Sequence, residues 1–451
     1  MQTQAAIALL TRILRDLGLP AAGRAGAEGC AVPLPARTAV DALAWAVVTA
    51  CAEAAAGLAG THASRADPDA IAVAYASDRW FRIDGHTPDA FAPLSGFFRC
   101  DDGWVRTHGN YPYHAAALRR ALGLDEAAGR DELASVVASR SAASITAQVT
   151  AAGGLCVVVA PEDPAADARQ RRLPLAAIER TAEPPPPTGR VGSAGGGPID
   201  PEAPLRGIRV LDMTRVIAGP VATRTLALLG ADVLRIDPPA LVEIAWQHLD
   251  TGHGKRSTLL DVKSAGGRAV FDALLEAADV VVLGYRPSSL ARLGLTPAAL
   301  AARRPGVVVA QLSAWGEPDR RGFDSLVQAA CGIAMIEGSP DAPGVLPAQA
   351  LDHSAGYLLA AGVMAALRRR AIEGGSWTVT TSLRRVAAEL LGMPRSEQPG
   401  AAVPDATGHT QTFTVDGSVV TTASPALRYP GAPTAFAAPR PWGADAPAWR
   451  D

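Results

Sequence analysis

Cysteine is scarce in this sequence, and the motifs through which cysteine and histidine most often hold a metal are missing. The 451 residues include five widely separated cysteines without a CxxC pair, and the eight histidines form no HExxH motif. An odd number of scattered cysteines is typical of reduced thiols rather than of a disulfide framework or a zinc site. We therefore expect a cytoplasmic protein without a metal centre.

The sequence also lacks an excess of charge of either sign. Its 42 Lys and Arg residues nearly balance 44 Asp and Glu residues, and no basic block or nucleic-acid-binding motif is present. Proteins that bind nucleic acids usually carry a basic surface, so no nucleic-acid partner is expected.

The apolar stretches of the sequence do not predict a membrane segment. The most apolar helical stretch begins at Ala42, contains Glu53 and is too short to cross a bilayer. Arg12 and Arg15 interrupt the apolar N-terminal segment, which therefore does not have the form of a signal peptide. No membrane role is expected.

Apolar residues are plentiful enough for large cores. Hydrophobic residues make up 48% of the chain, and its length corresponds to about two or three domains. A Pro/Gly-rich linker at 181–204 and a second break at 392–410 exclude long regular elements. We expect an N-terminal part at 1–180, a large domain at 205–390 and a closing segment at 391–451.

The segment between the two breaks alternates strands with helices. Arg209 to Met213 predicts a strand, Gly219 to Ala231 a helix and Asp232 to Asp237 a second strand, which is a βαβ unit. Helix-then-strand patterns follow in Gly267 to Tyr285 and in Pro297 to Gly316. This alternation predicts an α/β fold with a doubly wound, mostly parallel sheet.

The N-terminal part shows a different pattern. Residues 78–109 are rich in aromatic side chains and contain a DDG turn, and two helical stretches and the short strand LCVVVAP follow them. This mixed order predicts a second, smaller α+β domain.

The first turn of the βαβ unit, TRVIAGPVATR, lacks the GxGxxG spacing of a dinucleotide site, although Asp237 ends the second strand. NAD binding is therefore disfavoured. The helix that begins near Pro220 offers free N–H groups to a phosphate, but an ordinary sheet-packing helix fits the pattern equally well.

Cationic side chains occur where phosphates could bind. Lys255 and Arg256 precede an apolar, strand-like run, and Arg286 and Arg292 follow another strand. Each of these residues, taken singly, is more often a solvated charge than a ligand-binding group.

One carboxylate, Asp324, lies in RRGFDSLVQAACGI among small and apolar residues. Helix capping is the simplest interpretation, because Leu326 and Val327 recur with Ala330 and Cys331 at the spacing of one apolar helix face. Its neighbours along the chain supply a second interpretation.

Several segments occur in an order that resembles a known family. They are RGIRVLDMTRVIAGPVATRTLALLGADVLRIDPP, GKRSTLLDVKS, ADVVVLGYRPSSLARLGL, VVVAQLSAWGEPDRRGFDSLVQAACGI, LDHSAGYLLAAGVMAALRRR and GGSWTVTTSL. From Pro204 to about Leu383 the chain resembles the class III CoA-transferases, which include formyl-CoA transferase, carnitine CoA-transferase and α-methylacyl-CoA racemase. The resemblance implies a Rossmann-like large domain, interlocked homodimers, and coenzyme A or acyl-CoA as a substrate rather than a permanently bound cofactor.

The resemblance also assigns residues. In the transferases of the family, the Asp of the G-x-D element is the nucleophile, and that position is Asp324 here. The implied contacts to coenzyme A are Val216, Ala218, Lys255, Arg256, Tyr285, Arg286 and Arg292. One departure is Gly284, where the family usually has Asn.

The N-terminal part bears a weaker resemblance to the same family. GFFRCDDGWVRTHGNYPYHAAALRRALGL resembles the small domain that normally follows the large one, and the helix around Ala42 resembles the one that contains His353. The chain thus resembles a permuted or truncated tandem.

These features imply an acyl-CoA:carboxylate CoA-transferase that forms an aspartyl anhydride and then an aspartyl-CoA thioester. A racemase of the same family is one alternative, but the racemase branch resembles G-H-D, and this chain has Phe323 in place of that His. Asp352 and His353 leave proton transfer open. A non-catalytic acyl-CoA-binding protein is the other alternative.

Overall fold

The computed structural model describes residues 2–20, 31–182 and 200–450. The helices are α1 (Gln2–Leu17), α2 (Val40–Leu58), α3 (Pro68–Tyr75), α4 (Ser77–Trp80), α5 (Pro112–Leu122), α6 (Arg130–Ala138), α7 (Ala142–Ala151), α8 (Pro164–Arg171), α9 (Ala218–Leu228), α10 (Ala245–Thr251), α11 (Ala265–Glu276), α12 (Pro287–Arg292), α13 (Pro297–Arg303), α14 (Asp324–Ala330), α15 (Ile333–Glu337), α16 (Ala350–Glu373) and α17 (Leu383–Leu391). The strands are β1 (Arg82–Ile83), β2 (Gly96–Cys100), β3 (Gly103–Thr107), β4 (Cys156–Val158), β5 (Ala177–Ala182), β6 (Arg209–Met213), β7 (Asp232–Asp237), β8 (Arg256–Leu259), β9 (Val280–Leu283), β10 (Val308–Ser313), β11 (Ser376–Ser382), β12 (Thr410–Val415) and β13 (Ser418–Ala423).

A seven-stranded sheet forms the centre of the α/β fold. Its strand order is β5-β11-β10-β9-β6-β7-β8, and every pair is parallel except β5 with β11. β9 reads VVVL and is buried along its whole length, as expected of a strand covered on both faces. The expected α/β class, the strands β6 and β7 and the helix between them are confirmed.

Two long apolar helices pack inside the molecule. α16 lies against both α2 and α9 in the largest hydrophobic cluster. α2 and α16 are long and apolar enough to cross a membrane, but 89% and 100% of their most apolar windows are buried within the fold. Their composition therefore matches that of core helices.

Two smaller sheets accompany the large one. Strands β2, β3 and β4 form an antiparallel sheet that packs with α5, α6 and α7 around its own hydrophobic cluster, and we call residues 96–158 the small sheet unit. Strand β1 joins β13 and β12 from the C-terminal segment.

The structure divides the predicted N-terminal part between these layers. Only its middle forms the small sheet unit, whereas α1 and α2 pack on the large core and β5 extends the large sheet. The predicted linker at 181–204 begins too early, because Thr181 and Ala182 are the last two residues of β5, which pairs with β11. Of this linker, residues 183–199 and with them the AGGGP run lie outside the described residues.

Candidate active site

Asp324 is the first residue of α14 and is 1% exposed. Its side chain does not cap the helix; the N-cap position belongs to Phe323, which has no side-chain capping bond. The carboxylate instead accepts hydrogen bonds from Gln328 Nε2 and, at 2.9 Å, from the main-chain N–H of Asp352. Burial raises the pKa of Asp324 above its ordinary value, and these two donors oppose the rise. The capping interpretation is therefore wrong.

Aromatic rings from the small sheet unit cover the start of α14. The imidazole of His108 stacks on Phe323 with ring centroids 3.9 Å apart, and Tyr111 and His114 pack against the same phenyl ring. Burial, together with nearby His114, lowers the pKa of His108 to about 3, so this imidazole is neutral. The stack therefore packs the small sheet unit against the residue that precedes Asp324.

The loop after β6 holds Val216 in an unusual backbone conformation. Its φ angle is 71°, in the left-handed region that β-branched residues rarely adopt. Strain of this kind persists only where the surroundings impose it, and it is concentrated at binding and catalytic sites. Ala218 follows as the first residue of α9 and is buried.

The Glu243 carboxylate fixes this loop. It accepts a hydrogen bond from the Tyr111 hydroxyl at 2.6 Å and pairs with Arg235 at 2.6 Å and with Arg215 at 3.3 Å. Burial would raise the pKa of Glu243, but the two guanidinium groups lower it to about 2. Because the main-chain N–H of Val216 also points to Glu243 at 3.4 Å, one carboxylate connects the small sheet unit to the strained loop.

The Lys255 and Arg256 pair, expected to hold phosphates, is engaged inside the protein. Lys255 is 2% exposed, and its ammonium lies 3.1 Å from the carboxylate of Asp212. Burial lowers the pKa of Lys255 to about 8 although Asp212 opposes the shift. Arg256 forms a two-pronged ion pair with Asp232 and donates to the carbonyl of Ala448. Neither charge is free for a ligand.

A different group of cations lies at the carboxyl ends of the strands. Arg286 follows β9, Arg292 ends α12, and Arg321 precedes α14. Burial lowers the pKa of Arg286, and Arg321 and Arg292 lower it further, which indicates that the three guanidinium groups lie near one another. Among the described residues they bond only to Ser289 and to the carbonyl of Gly153. The sequence indicated two of these three residues.

Tyr285 lies between the cations and the Glu243 network. Its hydroxyl is buried without a hydrogen-bond partner in the described part of the chain, and burial raises its pKa. An unsatisfied hydroxyl at the end of β9 is available to a ligand.

Gly284 packs closely against the loop after β6. A Cβ atom built there would lie 3.1 Å from Thr214 Cβ, and Thr214 is held by two hydrogen bonds to Asp212. We expect Gly284→Ala to lower the free energy of unfolding by about 1 kcal/mol. In the matched control Gly266→Ala, the new methyl group meets nothing within 4 Å and lies in α11, so stability should not fall. Urea denaturation of both variants checks the difference; equal stability would contradict the tight packing.

A cavity of about 40 Å³ lies beside these elements. Val216, Phe323, His108 and Asp352 are among the residues that line it. Its volume accommodates a few water molecules.

Several of these residues could not be identified from the sequence. His108, Glu243 and Arg321 carry no local motif, and their roles depend on contacts between distant segments. The burial of Asp352 was equally invisible, although its position beside His353 was noted. No group of three or more metal-ligating side chains occurs among residues 2–20, 31–182 and 200–450.

The part of the chain that contains most of the large sheet is similar to known proteins. Residues 205–423 match the model described as CoA-transferase family III. The probable fatty acyl-CoA transferase Rv3272 of Mycobacterium tuberculosis is 31% identical over 226 residues, which are 44% of this chain and 57% of that protein. The formyl-CoA:oxalate CoA-transferase of Rhodopseudomonas palustris strain BisB18 is 32% identical over 196 residues, 40% of this chain and 46% of the relative.

One solved structure also aligns with part of the chain. A crystal structure of the hypothetical protein Rv3272 aligns at 33% identity and a TM-score of 0.40, covering 42% of this chain and 56% of that one. The chain thus spans about half the length of the curated relatives it matches.

Proposed function

We propose that this protein transfers coenzyme A from an acyl-CoA to a carboxylic acid, with Asp324 as the nucleophile, because residues 205–423 match the model of CoA-transferase family III. The observation that carries the proposal is the Asp324 carboxylate, buried at the start of α14 under the rings of the small sheet unit. Asp324 does not cap its own helix and forms no ion pair with a described residue; it accepts a hydrogen bond from the main-chain N–H of Asp352 in the first turn of α16, so the variants below separate a structural role from a catalytic one.

The proposed reaction proceeds through two covalent intermediates. One Asp324 oxygen attacks the thioester carbonyl, the C–S bond breaks, and a mixed anhydride and CoA thiolate result. The thiolate then attacks the aspartyl carbonyl, which releases the acyl group as a carboxylate and leaves an aspartyl-CoA thioester. The acceptor acid reverses these steps. Both intermediates react with water, so the burial of Asp324 suits this chemistry.

We place coenzyme A at the carboxyl ends of the central parallel strands. Numbered along the chain, the six parallel strands have the order 3-2-1-4-5-6, which supports a Rossmann-like description of the sheet. Ligands of such sheets bind where the strand order reverses, here between β6 and β9. Val216, Ala218 and Tyr285 border that point, and Arg286, Arg292 and Arg321 supply positive charge beside it. The small sheet unit would act as a second, smaller domain that closes over the thioester.

We expect the double variant Arg286→Ala/Arg292→Ala to weaken CoA binding by about 10- to 100-fold, because charge-assisted bonds to phosphate are lost. Isothermal titration calorimetry with CoA at moderate salt measures the change. The matched control is Arg206→Ala/Arg450→Ala, which removes two exposed arginines, the first just ahead of the amino end of β6. Equal affinities for all three proteins would contradict this placement of the phosphates.

A racemase of the same family is a second candidate, because one observation favours it. The sequence has Phe323 in place of the racemase His and left only Asp352 and His353 as candidates for proton transfer, but the structure brings neutral His108 into contact with Phe323. Incorporation of deuterium from solvent at the α-carbon of an acyl-CoA would favour a racemase, whereas exchange between an acyl-CoA and its labelled free acid would favour a transferase. A non-catalytic binding protein would show neither.

The homodimer implied by the family resemblance stays a prediction. The C-terminal segment packs on the large sheet of its own chain. Trp442 donates to Asp237, and Trp449 donates to the carbonyl of Leu274.

A further inference from the structure

A second carboxyl group lies beside the candidate nucleophile and is not engaged by the protein. Asp352, in the first turn of α16, is 7% exposed and lines the cavity beside Phe323 and His108. No described residue donates a hydrogen bond to its side chain, while its main-chain N–H donates to Asp324 Oδ2 at 2.9 Å. An unpaired buried carboxylate is costly unless it keeps its proton.

The two carboxyl groups differ in their surroundings. The Asp324 carboxylate receives hydrogen bonds from Gln328 and from the main chain, which favour its anion. Asp352 receives none, and burial together with the negative charge of Asp324 raises the pKa of Asp352 well above its ordinary value. When two neighbouring titratable groups have surroundings that push their pKa values apart, one often acts as the acid and the other as the base.

Other ionisable groups face this cavity and do not supply a compensating positive charge. They are Asp78 of α4, His108 after β3, Asp250 of α10 and His353 of α16. Burial lowers the pKa of both histidines to about 3, so each is neutral. The positive charge of Arg106 in β3 lowers the pKa of Asp324, whereas no positive charge among the described residues lowers that of Asp352.

We propose that Asp352 is the general acid and base that serves the coenzyme A sulfur in the transfer reaction; this role rests on the function proposed above. When Asp324 attacks the thioester, the C–S bond breaks and sulfur keeps the electron pair. Asp352 then gives its proton to that sulfur, so the products are the anhydride, the CoA thiol and the Asp352 carboxylate. In the next step Asp352 takes the proton back as the sulfur attacks the aspartyl carbonyl.

The energetics of the first step require such a group. A thiol has a pKa of about 8.5 and a carboxylic acid one of about 4, so a carboxylate that expels a thiolate works against the difference in basicity. The cavity has room for only a few water molecules, and a neutral carboxylic acid is a much stronger proton donor than water. A neighbouring neutral acid removes the penalty by trapping the sulfur as a thiol.

The first test needs no substrate. In protein labelled with ¹³C at the aspartate carboxyl carbons, one buried carboxyl should stay protonated at neutral pH in the parent and be missing in Asp352→Asn. In Asp324→Asn the same resonance should titrate at lower pH, because the neighbouring negative charge is gone. A parent spectrum without such a resonance would overturn the proposal, whether or not the protein transfers CoA.

The second test uses the reaction. Asp352→Asn should form the covalent adduct from a donor acyl-CoA about 10²- to 10⁴-fold more slowly, with a smaller effect on KM, and should lose the alkaline limb of its pH profile. Asp341→Asn, an isosteric change at a fully exposed carboxylate, serves as the control. If the parent forms the adduct and Asp352→Asn forms it at the same rate with the same profile, Asp352 has no acid–base role. A parent that forms no adduct refutes the transferase itself.

Discussion

Replacing Asp324 by Asn should abolish acyl exchange while the protein stays folded. The amide keeps the shape of the carboxylate but not its nucleophilic anion, and losing a covalent nucleophile costs about four orders of magnitude or more in rate. Because Asp324 does not cap α14, no capping energy is lost. If the new amide nitrogen of Asp324→Asn faces the amide nitrogen of Gln328, two hydrogen-bond donors meet, which lowers the free energy of unfolding by about 1–3 kcal/mol. Removal of a buried charge offsets part of this loss.

Exchange of label between an acyl-CoA and its free acid measures the loss, and circular dichroism confirms the fold. Asp341→Asn is again the control, since its side chain is 95% exposed. A folded Asp324→Asn protein that exchanged at the parent rate would return Asp324 to a structural role.

The second large effect is expected in stability, at Lys255. Its ammonium bonds to Asp212 at 3.1 Å and to the carbonyl of Pro220 at 2.9 Å, and Asp212 is fully buried. Lys255→Met keeps most of the volume but leaves the Asp212 charge uncompensated, so the free energy of unfolding should fall by about 3–5 kcal/mol. The sequence-based expectation of a phosphate contact would instead predict weaker CoA binding without a change in stability.

A double-variant cycle distinguishes these outcomes. Lys255→Met combined with Asp212→Asn should recover part of the lost stability, because no unpaired charge stays buried. Lys263→Met, a change at an exposed lysine, should alter stability by less than about 0.5 kcal/mol. Urea denaturation of the parent, the two single variants, the double variant and the Lys263→Met control provides the values. Independent, additive effects of the changes at Lys255 and Asp212 would contradict the ion pair.

The strands of the large sheet could be predicted from the sequence because their signal is local. Arg209 to Met213 and Asp232 to Asp237 are short apolar runs separated by one helix, and both strands occur with the predicted bounds. The start of the linker could not be placed in the same way, because β5 owes its strand conformation to pairing with β11, far along the chain.

The site was predictable only in part for the same reason. Asp324 was indicated by its motif. Whether a cation is free or paired depends on which carboxylate folds beside it, and Lys255 looks no different in sequence from Arg286. The rings over α14 come from the small sheet unit, so the contact of His108 with Phe323 has no sequence signal.

The most direct measurement of the central claim is mass spectrometry of the protein after incubation with a donor acyl-CoA and no acceptor. We expect an acyl or CoA adduct on the peptide that begins at Gly322 and contains Asp324. Hydroxylamine should release this adduct, and the Asp324→Asn protein should not form it. If the parent exchanges acyl groups but carries no adduct on this peptide, or carries it on another carboxylate, Asp324 is not the nucleophile.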